Sequence, residues 1–202
     1  MLLYQDPRAP NPRRVRIFCA EKNLELDTID VMIATGDHQK PAYLVKHPLG
    51  LLPVLELADG RVLRESMAIC RYLEELTPAP NLFGVDAWER ATIEQWNRHA
   101  EFELLLPIAQ VFRNTHAFWQ GRIKQAPEFG AIMREIVAAR MAWLDGELAS
   151  RRYLAGERFT VADITARCAI DFGKPVDLRI PDGLTHLRRW YDLVSERPSI
   201  KA

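Results

Sequence analysis

Two short segments combine residue types that suit the binding of an amino acid. Pro53 stands at the start of a strand-like stretch, where proline cannot donate to a ladder and belongs to the first strand residue or to a cis turn. Glu65 and Ser66 stand at the predicted N-terminus of a helix, where unpaired amides and the positive dipole end favour a carboxylate. Glu65 can also pair with an ammonium group. Together these residues predict a site for an α-amino acid head group.

The elements that must position this site alternate between strand and helix signals through the first 76 residues. The predicted strands and helices occupy residues 2–5, 12–22, 26–33, 53–57, 61–63 and 67–76, with Ser66 as the cap of the last helix. Strand, helix and strand at this spacing imply a right-handed crossover and parallel pairing. Asp59-Gly60 predicts a hairpin, which adds an antiparallel pair. The predicted order is β-α-β-α-β-β-α, in which the second helix is expected without assigned bounds.

Everything after Pro80 has helical signals. The predicted helices occupy residues 86–115 with a kink at Pro107, 129–150, 160–172 and 184–196. Thr160 and Asp163 have the spacing of a capping box at the start of the third of these. The shift in pattern predicts two domains, an α/β domain over residues 1–79 and an all-helical domain over 87–202, with a linker at 80–86.

The charge balance argues against nucleic acid as a partner. The chain has 202 residues, and 27 Lys and Arg are balanced by 27 Asp and Glu. A net charge of zero gives no basic field for phosphates, and the cluster of Arg13, Arg14 and Arg16 is interpreted as a solvated helix face. The apolar runs fall far short of the roughly 20 residues that a membrane helix needs. A small molecule is therefore the expected ligand.

The cysteines indicate a reduced compartment and no metal site. Cys19, Cys70 and Cys168 are isolated, odd in number and without a Cys/His cluster at metal-ligand spacing. Residues 1–6 carry no export signal, so a cytoplasmic location is expected. Each cysteine is expected to fill a core position rather than to act as a nucleophile.

Four segments, taken in order and spacing, resemble the cytosolic glutathione S-transferase family over essentially the whole chain. These segments are Leu52-Pro53-Val54, Glu65-Ser66, Phe159-Thr160-Val161-Ala162-Asp163 and Arg197-Pro198-Ser199. The resemblance implies a thioredoxin-like α/β domain followed by an all-α helical bundle. It also implies that Pro53 is the family's cis-proline and that Glu65 and Ser66 clamp the γ-glutamyl group of glutathione. Within the family, the chain resembles a bacterial, theta-like, serine-type relative with an atypical catalytic segment.

The resemblance assigns further residues to glutathione binding. Leu52 and Val54 flank the cis-proline, and Val54 is expected to offer main-chain hydrogen bonds to the cysteinyl part of glutathione. His38 matches a position that contacts the glycyl carboxylate in theta-like members, and the alternative is a solvated loop histidine. Family members often carry a polar residue where Leu51 stands and Asn where His47 stands. The glycyl pocket therefore departs from the usual pattern.

The thiol-activating position departs further from the family. Glutathione transferases lower the pKa of the thiol with a donor after the first strand, because the thiolate is the nucleophile. Gln5 stands where tyrosine-type enzymes keep Tyr, and Ala9 stands where serine- or cysteine-type enzymes keep Ser or Cys. Asn11 is the best remaining donor, assisted by amides at the helix start; its alternative role as a plain helix cap can coexist with this one. Tyr4 is a weaker substitute, since strand alternation turns it away.

The second substrate is expected to contact an apolar wall on the long kinked helix. The candidates are Leu104, Pro107, Ile108, Val111 and Phe112. The resemblance implies a cytoplasmic, homodimeric detoxification enzyme that conjugates glutathione to an electrophilic apolar molecule. Glutathione enters as cosubstrate, and no metal, prosthetic group, membrane or nucleic acid is expected.

Two alternative functions remain open. One is a glutathione-dependent disulfide reductase or dehalogenase, because the usual Tyr, Ser and Cys donors are absent. The other is a non-catalytic binding protein with the glutathione transferase fold. Glu65 and Ser66 argue against the second alternative, since a pure scaffold needs no clamp for an amino acid.

Overall fold

The computed structural model describes residues 1–202, and the chain forms two compact units. The first unit contains Met1–Asn81 together with Pro198–Ala202, and the second contains Leu82–Arg197. The last five residues join the first unit, whereas the sequence pattern assigns them to the helical domain. Arg13 Nη2 donates to the Ile200 carbonyl over 2.9 Å, and the Ser199 hydroxyl donates to Glu21. These contacts on the first helix explain why the chain terminus returns there.

The first unit has the predicted order of strands and helices. Its elements are β1 (Leu2–Gln5), α1 (Pro10–Glu21), β2 (Asp27–Asp30), α2 (Pro41–Leu44), β3 (Val54–Glu56), β4 (Val62–Arg64) and α3 (Ser66–Leu76). The sheet order is β2-β1-β3-β4; β1 and β2 are parallel, and the other pairs are antiparallel. The Asp59-Gly60 hairpin is confirmed, and Gly60 has the positive φ of 85° that such a turn needs.

The two faces of the sheet are covered very differently. Leu3 and Leu55 point to one face and are buried with the apolar residues of α1 and α3, as strand alternation requires. Tyr4 and Val54 point to the other face, where they pack with Val31 and with Tyr43. Tyr43 is the only buried residue of α2, so this second face has a thin cover.

The second unit is entirely helical. Its helices are α4 (Ala87–His99), α5 (Leu106–Thr115), α6 (Pro127–Glu147), α7 (Val161–Gly173) and α8 (Thr185–Ser195). The irregularity expected at Pro107 is a π-helical stretch, Ala100–Leu105, that ends before the proline, and Pro107 itself occupies the first turn of α5. The Leu106 amide donates to the Glu101 carbonyl in the π pattern, so the irregular hydrogen bonding begins just before the proline, which itself has no N–H to donate. None of these helices has the length and apolar character needed to cross a membrane.

The capping box at the start of α7 is confirmed. Asp163 accepts hydrogen bonds from the Thr160 amide at 2.9 Å, the Leu154 amide at 3.0 Å and Trp190 Nε1 at 2.8 Å. Burial raises the pKa of this carboxyl, and the hydrogen bonds oppose that rise. One side chain therefore ties the loop before α7 and helix α8 to the helix start.

Candidate functional site

The predicted site residues converge at one end of the sheet because of the strand directions. The parallel strands β1 and β2 end there, the antiparallel β3 begins there, and β4 ends there. Val54 pairs with Tyr4 on one side and with Arg64 on the other. The same antiparallel register carries Pro53 toward Glu65, one residue beyond the ladder. The N-termini of α1 and α3 follow β1 and β4, so both face this end of the sheet.

The peptide bond between Leu52 and Pro53 is cis, as the resemblance predicts. Pro53 is buried and lies immediately before β3. Val54 lies between two strands, so its main-chain groups belong to the sheet rather than to a ligand. Leu52 precedes the strand and is half-buried. Its main chain is therefore better placed for a ligand than that of Val54, to which the resemblance assigns this role.

Glu65 and Ser66 form the start of α3. The helix begins at Ser66, and Glu65 occupies the cap position without a side-chain capping bond, whereas the sequence pattern makes Ser66 the cap. Glu65 has a φ of 70°, in a region that costs a non-glycine residue roughly 1–3 kcal/mol. Its side chain is exposed, while Ser66 is buried. This conformation leaves the Glu65 carboxylate and the first amides of α3 at the same corner.

Few backbone amides are available at the start of α1. Pro10 and Pro12 have no N–H, and the Arg13 amide donates to the Ala9 carbonyl over 3.3 Å. Asn11 is thus the only one of the first three helix residues that has an amide hydrogen. The amides expected to assist a thiolate here are reduced to this single group.

Asp6 organises the loop that precedes α1. Its Oδ1 accepts from the Arg8 amide at 3.0 Å, and its Oδ2 accepts from the Ile33 amide at 2.9 Å. Its carbonyl accepts from the Ala9 amide at 3.0 Å. The carboxylate therefore links the chain after β1 to the chain after β2, while the main-chain carbonyl engages the amide at the start of the helix.

Asn11 lies inside the first turn of α1, and the cap position is Ala9 rather than Asn11. Its Oδ1 accepts a hydrogen bond from Arg14 Nη1 at 3.1 Å. Because a guanidinium has donors only, the amide must turn its oxygen to Arg14 and its Nδ2 away. Arg14 is buried, in contrast to the solvated face predicted for it. Asn11 is exposed, so its Nδ2 is presented as a donor.

Gln5 and Tyr4 are occupied by structural contacts. Gln5 Nε2 donates to Asp30 Oδ1 over 3.2 Å, and Gln5 Oε1 accepts from Arg16 Nη1 at 2.7 Å. The Tyr4 hydroxyl donates to Glu56 Oε2 over 2.6 Å on the opposite face of the sheet, as strand alternation predicts. Neither side chain is free to serve as the thiol donor.

His38 lies in a short 3₁₀ turn, Asp37–Gln39, between β2 and α2. It is half-buried. Asp37 fixes the turn, because its carboxylate accepts from the Met32 amide at 3.3 Å and its amide donates to the Met32 carbonyl over 3.1 Å. His38 thus has a defined backbone position in the connection between β2 and α2.

Four of the five residues expected to line the second-substrate wall are buried in the helical unit. These are Leu104, Pro107, Ile108 and Val111. Phe112 alone is partly exposed, and its ring lies 5.0 Å from that of Phe172 and 4.7 Å from that of His116. The exposed apolar side chains of the same stretch are Phe102 and Leu106.

Three contributions to this site have no clear signal in the sequence. Arg14 has the pattern of a surface residue, yet it orients Asn11. Lys46 and Glu56 are ordinary surface types, yet they meet across the second face of the sheet. Glu56 lies on a predicted strand, but Lys46 falls in no element with predicted bounds, so no signal in the sequence suggests their contact.

Comparison with known proteins agrees with this architecture. Residues 9–76 match the model of the glutathione S-transferase N-terminal domain, and residues 128–198 match that of the C-terminal domain. Glutathione S-transferase 2 of Saccharomyces cerevisiae is 36% identical over 205 residues, which cover 100% of this chain and 88% of the relative.

Solved structures give the same result. The crystal structure of Gtt2 from Saccharomyces cerevisiae matches with a TM-score of 0.94 at 36% identity, covering 100% of this chain and 99% of that one. A glutathione S-transferase domain-containing protein of Marinobacter aquaeolei matches with a TM-score of 0.93 at 36% identity, covering 99% and 100%. The likeness spans both units of the fold. The chain belongs to the glutathione S-transferase family.

Proposed function

We propose that the protein binds glutathione at this end of the sheet and conjugates it to electrophilic, apolar small molecules. The strand register that brings cis-Pro53 beside Glu65 and Ser66 carries this proposal. It joins the cis turn at Leu52 and Pro53 to a corner that has both a carboxylate and helix amides. Glutathione supplies a main chain and an α-amino acid group that match these two features.

The γ-glutamyl group binds at the start of α3. The Glu65 carboxylate pairs with the ammonium, and the first amides of α3 and the Ser66 hydroxyl bind the carboxylate. The main chain of Leu52, beside cis-Pro53, binds the cysteinyl part. Val54 contributes by packing, since its main chain lies in the sheet.

The glycyl carboxylate binds near His38. Its turn follows β2, whose carboxyl end lies at the same end of the sheet as the start of β3. A half-buried imidazole can donate one N–H to a carboxylate in its neutral form and adds a charge interaction when protonated. Leu51 and His47 stand where family members often carry a polar residue and Asn, respectively. His38 is therefore the main polar contact at this end.

Asn11 activates the thiol by donating from Nδ2 to the thiolate, with its own amide as the second donor. Arg14 favours this role, because it fixes the orientation of the Asn11 side chain. Hydrogen bonds to the charged form lower the pKa of the thiol, and the proton leaves to solvent. The thiolate then forms a carbon–sulfur bond with the electrophile and, for an aryl halide, the halide leaves with its electron pair.

Leu104, Pro107, Ile108, Val111 and Phe112 form the apolar wall for the second substrate. Phe112 is the contact residue, and the four buried residues act by supporting the surface that it presents. Glutathione is the cosubstrate, and the reaction needs no metal. We further propose a homodimer and a cytoplasmic location, the latter because all three cysteines are buried and none forms a disulfide.

The proposal is tested by calorimetric titration with glutathione, followed by turnover assays with an aryl halide and with a small disulfide. We expect glutathione to bind at millimolar concentration or below and the aryl halide to be conjugated. Absence of binding would overturn the enzyme assignment. Turnover of the disulfide alone would replace conjugation by glutathione-dependent disulfide reduction.

A further inference from the structure

The chain between β2 and β3 has little apolar surface to hold it on the sheet. We define the α2 segment as residues 37–50, which includes the His38 turn and helix α2. Tyr43 is the one buried side chain of α2, while Val45 and Leu49 are 79% and 72% exposed. Apolar burial is the main force that fixes short helices on a sheet. The position of the α2 segment must therefore depend strongly on polar contacts.

Three side chains supply the principal contact. Lys46 Nζ lies 2.7 Å from Glu56 Oε2, and the Tyr4 hydroxyl donates to the same oxygen over 2.6 Å. The Lys46 ammonium also lies 5.0 Å from the centre of the Tyr4 ring, within range of a cation–π contact. We call Tyr4, Lys46 and Glu56 the α2 anchor. Tyr4 and Glu56 belong to neighbouring strands, so the anchor joins the segment to the rigid part of the unit.

The anchor is more than an exposed ion pair. The Lys46 and Glu56 side chains are about one quarter exposed, at 25% and 24%. Glu56 is held by two donors at once, and hydrogen bonds from Lys46 and Tyr4 lower the pKa of its carboxyl. Partial shielding and a second hydrogen bond raise the contribution of an ion pair above that of a typical surface pair.

Further contacts extend the anchor along the segment. Arg64 Nε donates to the Lys46 carbonyl over 2.8 Å, and the Tyr43 hydroxyl donates to the Leu51 carbonyl over 2.5 Å. Arg64 immediately precedes Glu65, and Leu51 immediately precedes Leu52. Arg64 is fixed by its pairing with Val54 in the ladder, so its contact with Lys46 holds the α2 segment without making the Glu65 end depend on the anchor.

Gly50 connects the α2 anchor to His38 through close packing on the turn that carries His38. It is buried, has a φ of 61°, and its amide donates to the His47 carbonyl over 2.8 Å. A β-carbon at Gly50 would lie 2.7 Å from the His38 carbonyl oxygen. The end of the α2 segment therefore packs directly on the turn that carries His38. A shift of Lys46 relative to the sheet would move both Gly50 and the His38 turn.

We propose that Tyr4, Lys46 and Glu56 are positioning residues that hold His38 where it binds the glycyl carboxylate. They thereby set the preference for glutathione over γ-glutamylcysteine, which lacks that glycyl group. This inference rests on the proposed glutathione site. It adds residues that touch no part of the ligand and act only through the α2 segment.

The test is calorimetric titration of wild type and Glu56→Gln with glutathione and with γ-glutamylcysteine. The variant keeps the size of the side chain and removes the charge that holds Lys46. We expect the Kd for glutathione to rise roughly threefold to tenfold and the Kd for γ-glutamylcysteine to stay within twofold of wild type. Turnover at saturating glutathione should be unchanged, because the thiol end of the site lies outside the segment.

Asp59→Asn is the matched control. Asp59 pairs with Arg61 at 2.7 Å in the turn between β3 and β4. The variant therefore also removes an ion pair next to β3, but one that does not contact the α2 segment. We expect it to leave both affinities unchanged. Lys46→Met, which keeps the apolar stem, should repeat the effect of Glu56→Gln and provides a second test if one variant folds poorly.

The outcomes separate this inference from the proposed function. Wild type that binds neither peptide overturns the proposed glutathione site. If wild type prefers glutathione but Glu56→Gln and Lys46→Met weaken the binding of both peptides equally, or of neither, only the positioning role is overturned. Selective loss of glutathione affinity in both variants supports it.

Discussion

The two ends of the proposed glutathione site are placed by different forces. At the α3 end, β-ladder pairing of Val54 with Arg64 sets the positions of Pro53 and Glu65. At the α2 end, His38 lies in a turn whose segment has two buried side chains, Tyr43 and His47, and is held by polar contacts. Main-chain ladders involve many cooperative hydrogen bonds, whereas the α2 anchor depends on three side chains.

This difference predicts different consequences of mutation. Substitutions at the α3 end should remove ligand contacts and leave the backbone in place. Substitutions at the α2 end should displace the segment and change specificity without any direct contact with the ligand. The first kind of effect should be larger, because it includes the charged group of the ligand itself.

The largest effect is expected from Glu65→Gln. Loss of the carboxylate removes the partner of the γ-glutamyl ammonium, and a hydrogen bond to a charged group contributes about 1.5–3 kcal/mol. We expect glutathione to bind about 10- to 100-fold more weakly in calorimetry, with a thermal midpoint close to that of wild type. An unchanged affinity would show that the α3 end does not bind the ligand.

Asn11→Ala should affect the reaction more than binding. It removes the proposed donor to the thiolate, so we expect kcat/KM for an aryl halide to fall about 10- to 100-fold while the Kd for glutathione changes little. The pKa of the bound thiol, followed by thiolate absorbance, should rise. Asn11→Asp is a useful companion, because it keeps an acceptor for Arg14 and lacks the donor. Undiminished turnover in both variants would reject only the assignment of Asn11.

Gly50→Ala tests the transmission from the anchor to His38. The new β-carbon would meet the His38 carbonyl at 2.7 Å in a backbone conformation with a φ of 61°. We expect a loss of stability of about 1–3 kcal/mol, measured by denaturant unfolding. Glutathione should bind several-fold more weakly, and γ-glutamylcysteine should bind as in wild type. Gly146→Ala, where a β-carbon meets open space, is the control that should leave both affinities unchanged.

The smallest effect concerns pH. Because Lys46 and Tyr4 lower the pKa of Glu56, the contribution of the anchor is present above the ordinary carboxyl pKa and is lost as pH falls through the lowered value. Because burial lowers the pKa of His47 in the same segment, protection of α2-segment amides in hydrogen exchange should begin to fall below about pH 6.5, and loss of the anchor should add to this only in stronger acid. Asp37 also has a lowered pKa in this segment, so Glu56→Gln separates its contribution from that of Glu56. A loss of protection in stronger acid that is identical in the variant would assign that loss to Asp37.

The α3 end could be predicted from the sequence because its signals are local. Proline at a strand start, Asp59-Gly60 in a hairpin and an acid at a helix start each have a backbone reason within a few residues. The cis peptide and the hairpin are confirmed. The helix cap is Glu65 rather than the predicted Ser66, because Glu65 has a positive φ and the strand ends before it.

The α2 end could not be predicted to the same depth. Tyr4 and Glu56 are 52 positions apart, and nothing in hydrophobic periodicity specifies a hydrogen bond over that separation. Arg14 raises the same difficulty. Its charge indicates an exposed residue, whereas its burial follows from the packing of α1. Polar contacts between side chains depend on tertiary packing, and only the folded structure specifies their partners.

The central claim is that glutathione binds at the sheet end and that its γ-glutamyl group is recognised at Glu65 and Ser66. The most direct test compares glutathione with cysteinylglycine, which lacks that group, by calorimetric titration of the wild-type protein. We predict binding of glutathione at millimolar concentration or below and no measurable binding of cysteinylglycine. Equal affinity for the two peptides, or no binding of glutathione, would contradict the account.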